Sequence, residues 1–322
     1  LRALIRQGIR LNDTVVFMDS DSIIMPGCLR KCLPLFKLNP KLQALTTNER
    51  AVVTNSRLYA DILNLRFAQR SLYMNSLALS KKVLCLTGRF SIFKAAQILD
   101  EDFLSRIEND YIDDWFWNRI KFISGDDKSS WYSLLEKDAE MLFVPDALVY
   151  TVEKASSELW KGYIQDLKRW SGNMLRNNWR ALKLGVEKTG IFPWIVLFDQ
   201  RISMWTALFS PALLLVAFFK DFHLAYALLL WILMVKHVQS LALFWQGRTI
   251  KLVYPFIYYV QQILNGLVKV YTLFNLKSQS WNRHIPNKLP MSKSEHFYFA
   301  FAKYAAGLSM VIFIMIIGFL IK

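Results

Sequence analysis

Residues 13–19 read Asp-Thr-Val-Val-Phe-Met-Asp, a short β-branched apolar run that ends on a carboxylate. The run predicts a buried parallel strand delivering Asp19 to its carboxyl end, the edge at which open α/β sheets bind ligands. Pro26 and Gly27 break the chain before Leu29–Leu38, whose apolar spacing predicts a helix over the sheet. A second strand is expected at Leu42–Thr47. From Arg57 to Lys82 the pattern becomes a long amphipathic surface helix, with Leu58, Ile62, Leu65, Phe67, Leu72 and Leu77 on one side and Arg66, Gln69 and Arg70 on the other. Residues 83–94 read as strand, turn, strand, and the acidic stretch Glu101–Asp114 as loops and helix starts. Trp131–Leu135 supplies one more helix and Met141–Val144, before Pro145, one more strand. A basic, aromatic helical segment follows from Glu158 to Leu184.

After Gly190 the pattern changes. Residues 202–219 and 304–321 are uncharged runs of 18, close to the ~20 residues that cross a hydrocarbon core. Residues 222–245 are mostly apolar, with Lys236 and His237 inside them, and the short Lys220-Asp221 turn before them predicts a helical hairpin in the bilayer. Pro211 is tolerable inside the first span. The segment 252–276 is long enough to cross but carries Gln261, Gln262, Asn265 and Lys269, and basic residues flank both of its ends. The positive-inside rule then puts both ends in the cytoplasm and favours an interfacial or re-entrant helix lining a polar path, with an ordinary span of polar face as the alternative. The expected organisation is a catalytic α/β domain over 1–190 and a membrane region over 191–322.

The 322 residues are 54% hydrophobic, which excludes disorder for most of the chain. A net charge of +15 is compatible with a nucleic-acid or membrane-surface protein, but residues 191–322 hold 12 Lys+Arg against 3 Asp+Glu, bracketing apolar spans. A mean hydropathy of +0.22 points the same way, so a lipid bilayer and no nucleic acid is the expected environment. Three cysteines, Cys28, Cys32 and Cys85, and four scattered histidines give neither a disulfide framework nor zinc-ligand spacing, so any metal should be oxygen-bound.

Three clusters carry chemistry. Asp19-Ser20-Asp21-Ser22 places two carboxylates one residue apart at a strand end, where they can converge on one Mg²⁺ or Mn²⁺ bridging phosphate oxygens; a helix cap or solvated loop has the same spacing. Gly125-Asp126-Asp127-Lys128 is a glycine turn with paired acids at a helix start, suited to a general base or to capping. Lys168-Arg169-Trp170, with Arg176 and Arg180 further along, combines forked diphosphate donors with a flat face for a sugar ring, or else rests on anionic lipid.

Together, DSD at 19–21, TGR at 87–89, GDD at 125–127, KRW at 168–170, the apolar helices and Ser280-Trp281-Asn282-Arg283 resemble the processive family 2 glycosyltransferases, which include cellulose, chitin and hyaluronan synthases. LTTNE (45–49), RFAQR (66–70), ALSKKVLCLTGRFSIF (78–93), GDDKSSWYSL (125–134), DQRISMW (199–205) and QSWNR (279–283) resemble the mannuronan synthase branch, over about Asp13 to Arg283.

The resemblance implies the C-terminal part of a GT-A-type α/β domain followed by an α-helical transmembrane region, in the bacterial inner membrane with the catalytic domain cytoplasmic. It also implies inverting transfer from a nucleotide-sugar donor, GDP-mannuronate, onto a growing polysaccharide extruded through the chain's own helices, with regulatory and export subunits as partners. By position, Asp19 would contact the nucleotide diphosphate, and Asp21, with Asp19, the metal. Asp127 would be the catalytic base with Asp126 beside it. Thr87, Gly88 and Arg89 match the acceptor floor. Arg169, and loosely Arg283, would bind diphosphate, and Trp170 would stack on the acceptor. Arg89 and Lys128 are candidates to read the sugar carboxylate.

The chain departs from the broad family's QxxRW, with Asp166 at the glutamine position and Gln165 one residue too early; by the resemblance the mannuronan branch also lacks that glutamine. By the resemblance, the nucleotide-base pocket and an earlier aspartate lie before Leu1, so the 322 residues alone are expected to bind no nucleotide sugar. Competing readings are a synthase of another sugar and, from a different class, a non-catalytic membrane scaffold or transport subunit, against which the intact DSD and GDD argue.

Overall fold

The computed structural model describes residues 7–114, 118–121, 126–241, 243, 249–278 and 293–320. These fall into two compact units, one formed by 1–155 with 176–198 and the other by 156–175 with 199–322.

The first unit is built on a five-stranded mixed sheet. Its strands are β1 (Thr14–Phe17), β2 (Ser22–Ile24), β3 (Leu42–Val53), β4 (Ser91–Lys94) and β7 (Glu140–Glu153), in the order β1-β4-β3-β7-β2. β3 and β7 run parallel, and the other pairs are antiparallel. A separate hairpin joins β5 (Tyr111–Asp114) to β6 (Asn118–Lys121). Successive residues of the central strands face opposite layers, as the pleat requires. Leu45, Ile92 and Val149 pack with Cys28, Cys32 and Phe36 of α1 (Cys28–Leu38). Ala44, Phe93, Met141 and Phe143 pack with Met74 and Leu77 of α2 (Arg57–Ala78) and with Trp131, Leu134 and Leu135 of the helix Asp126–Glu136. That helix becomes α5, after α3 (Ala95–Ile98) and α4 (Glu101–Asn109). The mixed sheet covered by helices on both faces is GT-A-like, as expected.

Four expectations change. β1 is a half-exposed edge strand antiparallel to β4, where a buried parallel strand was expected. Residues 83–88 form no strand; only Ser91–Lys94 does. β7 passes through Pro145 because the proline falls at a register shift, where Asn48 Nδ2 donates to its carbonyl at 3.1 Å. Finally, α2 buries Tyr59, Leu63, Ala68 and Ser71 besides the expected stripe while Leu58 is exposed, so it is a core helix between sheet and neighbours.

Helix α6 (Leu159–Lys183) belongs to both units, and α7 (Gly185–Thr189) leads to α8 (Ile191–Thr206). In the second unit α9 (Phe209–Lys220), α10 (Phe222–Leu241), α11 (Tyr254–Leu273) and α12 (Lys293–Leu320) follow. Among the described residues two segments are long and apolar enough to cross a membrane, Ile191–Lys220 and Phe222–Leu241, so the first apolar segment starts 11 residues before the uncharged run at 202. It breaks between α8 and α9, and Pro211 sits in the first turn of α9, where its missing N–H costs no helical bond. Gln262 Nε2 donates to the carbonyl of Ala207 at this break at 2.9 Å, and a Cβ on Gly266 would lie 3.0 Å from Leu208 and 3.1 Å from the Met204 carbonyl. Helix α11 thus carries a polar side chain, Gln262, that satisfies a freed backbone group, and a glycine, Gly266, that admits a close approach to the Met204 backbone.

Candidate active site

Asp19 follows β1 in a tight turn, with the Ser22 N–H donating to its carbonyl at 3.1 Å. Its own N–H donates to the Gly88 carbonyl at 2.8 Å, and its carboxylate lies so close over Gly88 that an added Cβ would stand 3.1 and 3.2 Å from the two oxygens. Asp21 accepts the Val152 N–H on its backbone carbonyl at 2.9 Å, and both Asp19 and Asp21 are exposed.

Thr87, before this glycine, is buried, its Oγ1 3.1 Å from Thr46 Oγ1, and its carbonyl accepts the Ser91 hydroxyl at 2.8 Å. Arg89, after it, lies 4.9 Å above the Phe67 ring and pairs with Glu49 at 3.5 Å and Glu153 at 3.2 Å. Glu49, 1% exposed, also holds Arg70 at 3.0 Å. Burial alone would favour the neutral guanidine of Arg89, but Glu49, Glu153 and then Asp19 outweigh it and raise its pKa above the ordinary arginine value.

The other end of the same segment meets the second acid cluster. Cys85 Sγ donates to Asp127 Oδ2 at 3.5 Å, while the Lys128 N–H donates to Asp127 Oδ1 at 2.8 Å. Asp127 opens α5, where the unsatisfied N–H groups and helix dipole favour a carboxylate. The Lys128 ammonium donates to the Leu84 carbonyl and lies 4.9 Å above Trp131. Burial, and to a lesser extent Asp127, pushes the Cys85 thiol up to about 12, with Lys128 opposing. Residues 85–89 therefore touch both acidic motifs, which stand far apart in sequence. Asp126 starts α5, and its side chain lies outside the described residues.

In the second unit Arg169 pairs with the buried Asp166 at 3.4 Å, one turn earlier on α6, and its guanidinium lies 5.9 Å from the centre of Trp170. Lys168 lies over Tyr271 at 4.6 Å. Arg283 and Trp281 lie outside the described residues. Sequence reasoning missed Glu49, Glu153 and Arg70 as site neighbours. Glu49 and Arg70 sat inside the LTTNE and RFAQR stretches, but nothing in those stretches indicated that the two face each other.

Among the described residues no three His, Cys, Asp or Glu side chains are grouped to hold a metal ion. Two exposed carboxylates in one turn nevertheless fit a hard cation, which takes one or two protein oxygens and fills its shell with phosphate oxygens and water.

Comparison with known proteins gives the family. The chain is 42% identical over 273 residues to "Glycosyltransferase alg8" of Pseudomonas syringae pv. tomato, covering 84% of this chain and 55% of that protein. It is 40% identical over 285 residues to "Glycosyltransferase alg8" of Azotobacter vinelandii, covering 88% and 58%. The chain thus spans little more than half the length of these curated relatives. Residues 1–173 match the family model described as "Glycosyltransferase like family 2", and the chain belongs to that family.

Proposed function

We propose that this chain is part of a membrane-bound, processive, inverting glycosyltransferase that polymerises mannuronan from GDP-mannuronate and exports it through its own helices across the bacterial inner membrane. The observation that carries the reading is the five-residue segment Cys85–Arg89, which touches Asp19 at one end and Asp127 at the other. Donor and acceptor chemistry need that juxtaposition: one carboxylate beside the diphosphate, another to accept a proton.

Asp127 takes the proton from the acceptor hydroxyl as it attacks the anomeric carbon, with Asp126 beside it. By the resemblance Asp19 would orient the diphosphate, and Arg169 and, loosely, Arg283 are carried over as diphosphate donors. Asp21 and Asp19 would hold Mg²⁺ or Mn²⁺, which supplies neutralisation of the leaving diphosphate. Thr87, Gly88 and Arg89 form the acceptor floor, and Trp170 stacks on the sugar. Of the two cations proposed to read the uronate carboxylate, Lys128 is better placed. Its ammonium rests on a carbonyl and an aromatic face, whereas the charge of Arg89 is matched by Glu49 and Glu153. The names of the relatives, the apolar segments and the mannuronan-like motifs support the reading.

The test incubates membranes containing the full-length protein with a panel of radiolabelled nucleotide sugars. Polymer should form from GDP-mannuronate and disappear in Asp127→Asn, with protein abundance unchanged. Undiminished polymer from Asp127→Asn membranes would exclude Asp127 as the base, and polymer from a different donor would replace mannuronan.

A further inference from the structure

The first two turns of α5, which carry Asp127, are tied to their surroundings on three sides. Lys128 donates to the Leu84 carbonyl, the Trp131 indole to the Val83 carbonyl, and the Ser129 hydroxyl to Asp110 Oδ2. Two of these anchors are backbone. The third, Asp110, is a carboxylate only 5% exposed, placed between α4 and β5.

A buried carboxylate persists only if its charge is matched. Arg180 of α6 matches it with a fork: Nη1 donates to Oδ1 at 2.6 Å and Nη2 to Oδ2 at 2.8 Å. Nη2 also donates to Asn177 Oδ1 at 2.6 Å, and the guanidinium lies 3.9 Å from the centre of the Tyr132 ring of α5. Arg180 therefore grips α5 twice, through Asp110 and Ser129 in the first turn and through Tyr132 one turn later.

From this geometry we infer that Asp110 and Arg180 are positioning residues for the transfer reaction, fixing the first turn of α5 through Ser129 so that Asp127 faces residues 85–89. The inference rests on the reading of Asp127 as the base. A planar fork holding both carboxylate oxygens fixes the orientation of Asp110 as well as its charge, which a lysine in place of Arg180 would not. Neither residue touches substrate, so their removal should act on turnover and not on donor affinity.

Ser129→Ala in the full-length protein in membranes tests this, because it cuts the link and leaves the ion pair intact. It should lower kcat about tenfold, as expected for a misplaced base, with donor KM within about two-fold of wild type. Ser129→Thr should restore turnover, and the melting temperature of Ser129→Ala should stay near that of wild type. In a cycle with Asp110→Asn the two losses should not add, since both act on one link. Wild-type kcat in Ser129→Ala, or a loss of kcat that tracks lost protein or raised KM, would overturn the inference. Asp127→Asn run in parallel separates the two claims. If it is inactive while Ser129→Ala turns over normally, only the positioning role fails; if it stays active, the reading of the base fails.

Discussion

Glu49→Gln probes the charge network beneath the proposed site. Glu49 is 1% exposed and faces two guanidiniums, Arg70 at 3.0 Å and Arg89 at 3.5 Å, which are 23% and 19% exposed. Glutamine keeps the shape and one acceptor but removes the charge. Leaving a fully buried charge unpaired costs about 3–5 kcal/mol. Here the cost is smaller, because both arginines keep some solvent and Arg89 keeps Glu153 at 3.2 Å, so about 2–3 kcal/mol is expected. For a unit of this size each kcal/mol shifts Tm by ~2–4 °C, which predicts a fall of about 5–10 °C. Thermal unfolding of the solubilised full-length protein, followed by tryptophan fluorescence, measures it. A second arm sharpens the result: Arg89→Gln should cost less in the Glu49→Gln background than in wild type, because the unpaired charge goes with it. An unchanged Tm in Glu49→Gln, or strict additivity of the two, would show that the network contributes nothing and would refute this reasoning.

Two further outcomes follow from the same neighbourhood. Gly88→Ala should leave stability within about 1 kcal/mol of wild type, since the exposed Asp19 can give by the few tenths of an ångström needed. It should nevertheless raise donor KM in polymer assays about tenfold by displacing that carboxylate; unaltered kinetics would remove Asp19 from donor binding. The Cys85 thiol, raised from 9.0 to about 12, favours its neutral form in the fold, so its contribution to stability is complete below pH 9 and lost as pH climbs from 9 towards 12. Melting temperature should therefore fall more steeply with alkaline pH in wild type than in Cys85→Ala, and parallel curves would contradict the burial.

The helices were legible because a 3.6-residue period survives local perturbation: α1 and α5 stand close to where their apolar spacing puts them. Strands were less so, because the decision to pair belongs to distant partners. Residues 83–88 have the composition of a strand, yet their backbone is engaged elsewhere. The Trp131 indole takes the Val83 carbonyl, Lys128 that of Leu84, Ser91 that of Thr87 and the Asp19 N–H that of Gly88. A segment whose carbonyls are used this way cannot join a ladder, and no local property of Val83–Gly88 announces those donors.

The same distance problem governs the site. The acids announced themselves because a carboxylate at a strand end or helix start has a local signature. What a given arginine faces does not: Arg89 finds Glu153 64 residues away, and Arg180 finds Asp110 70 residues away. A charge count over residues 1–190 therefore overstates the positive charge offered to ligands, since Arg70, Arg89 and Arg180 are matched by buried carboxylates. Arg180, read from sequence as part of a basic face for diphosphate or lipid, is 9% exposed and turned inward. Of the two cations proposed for a uronate carboxylate, Arg89 is one of the matched arginines, whereas Lys128 stands beside Asp127 and lies on Trp131. Two cations of one motif-bearing region can look equivalent in sequence, yet Arg89 is held by Glu49 and Glu153 while Lys128 rests on a backbone carbonyl and an aromatic face.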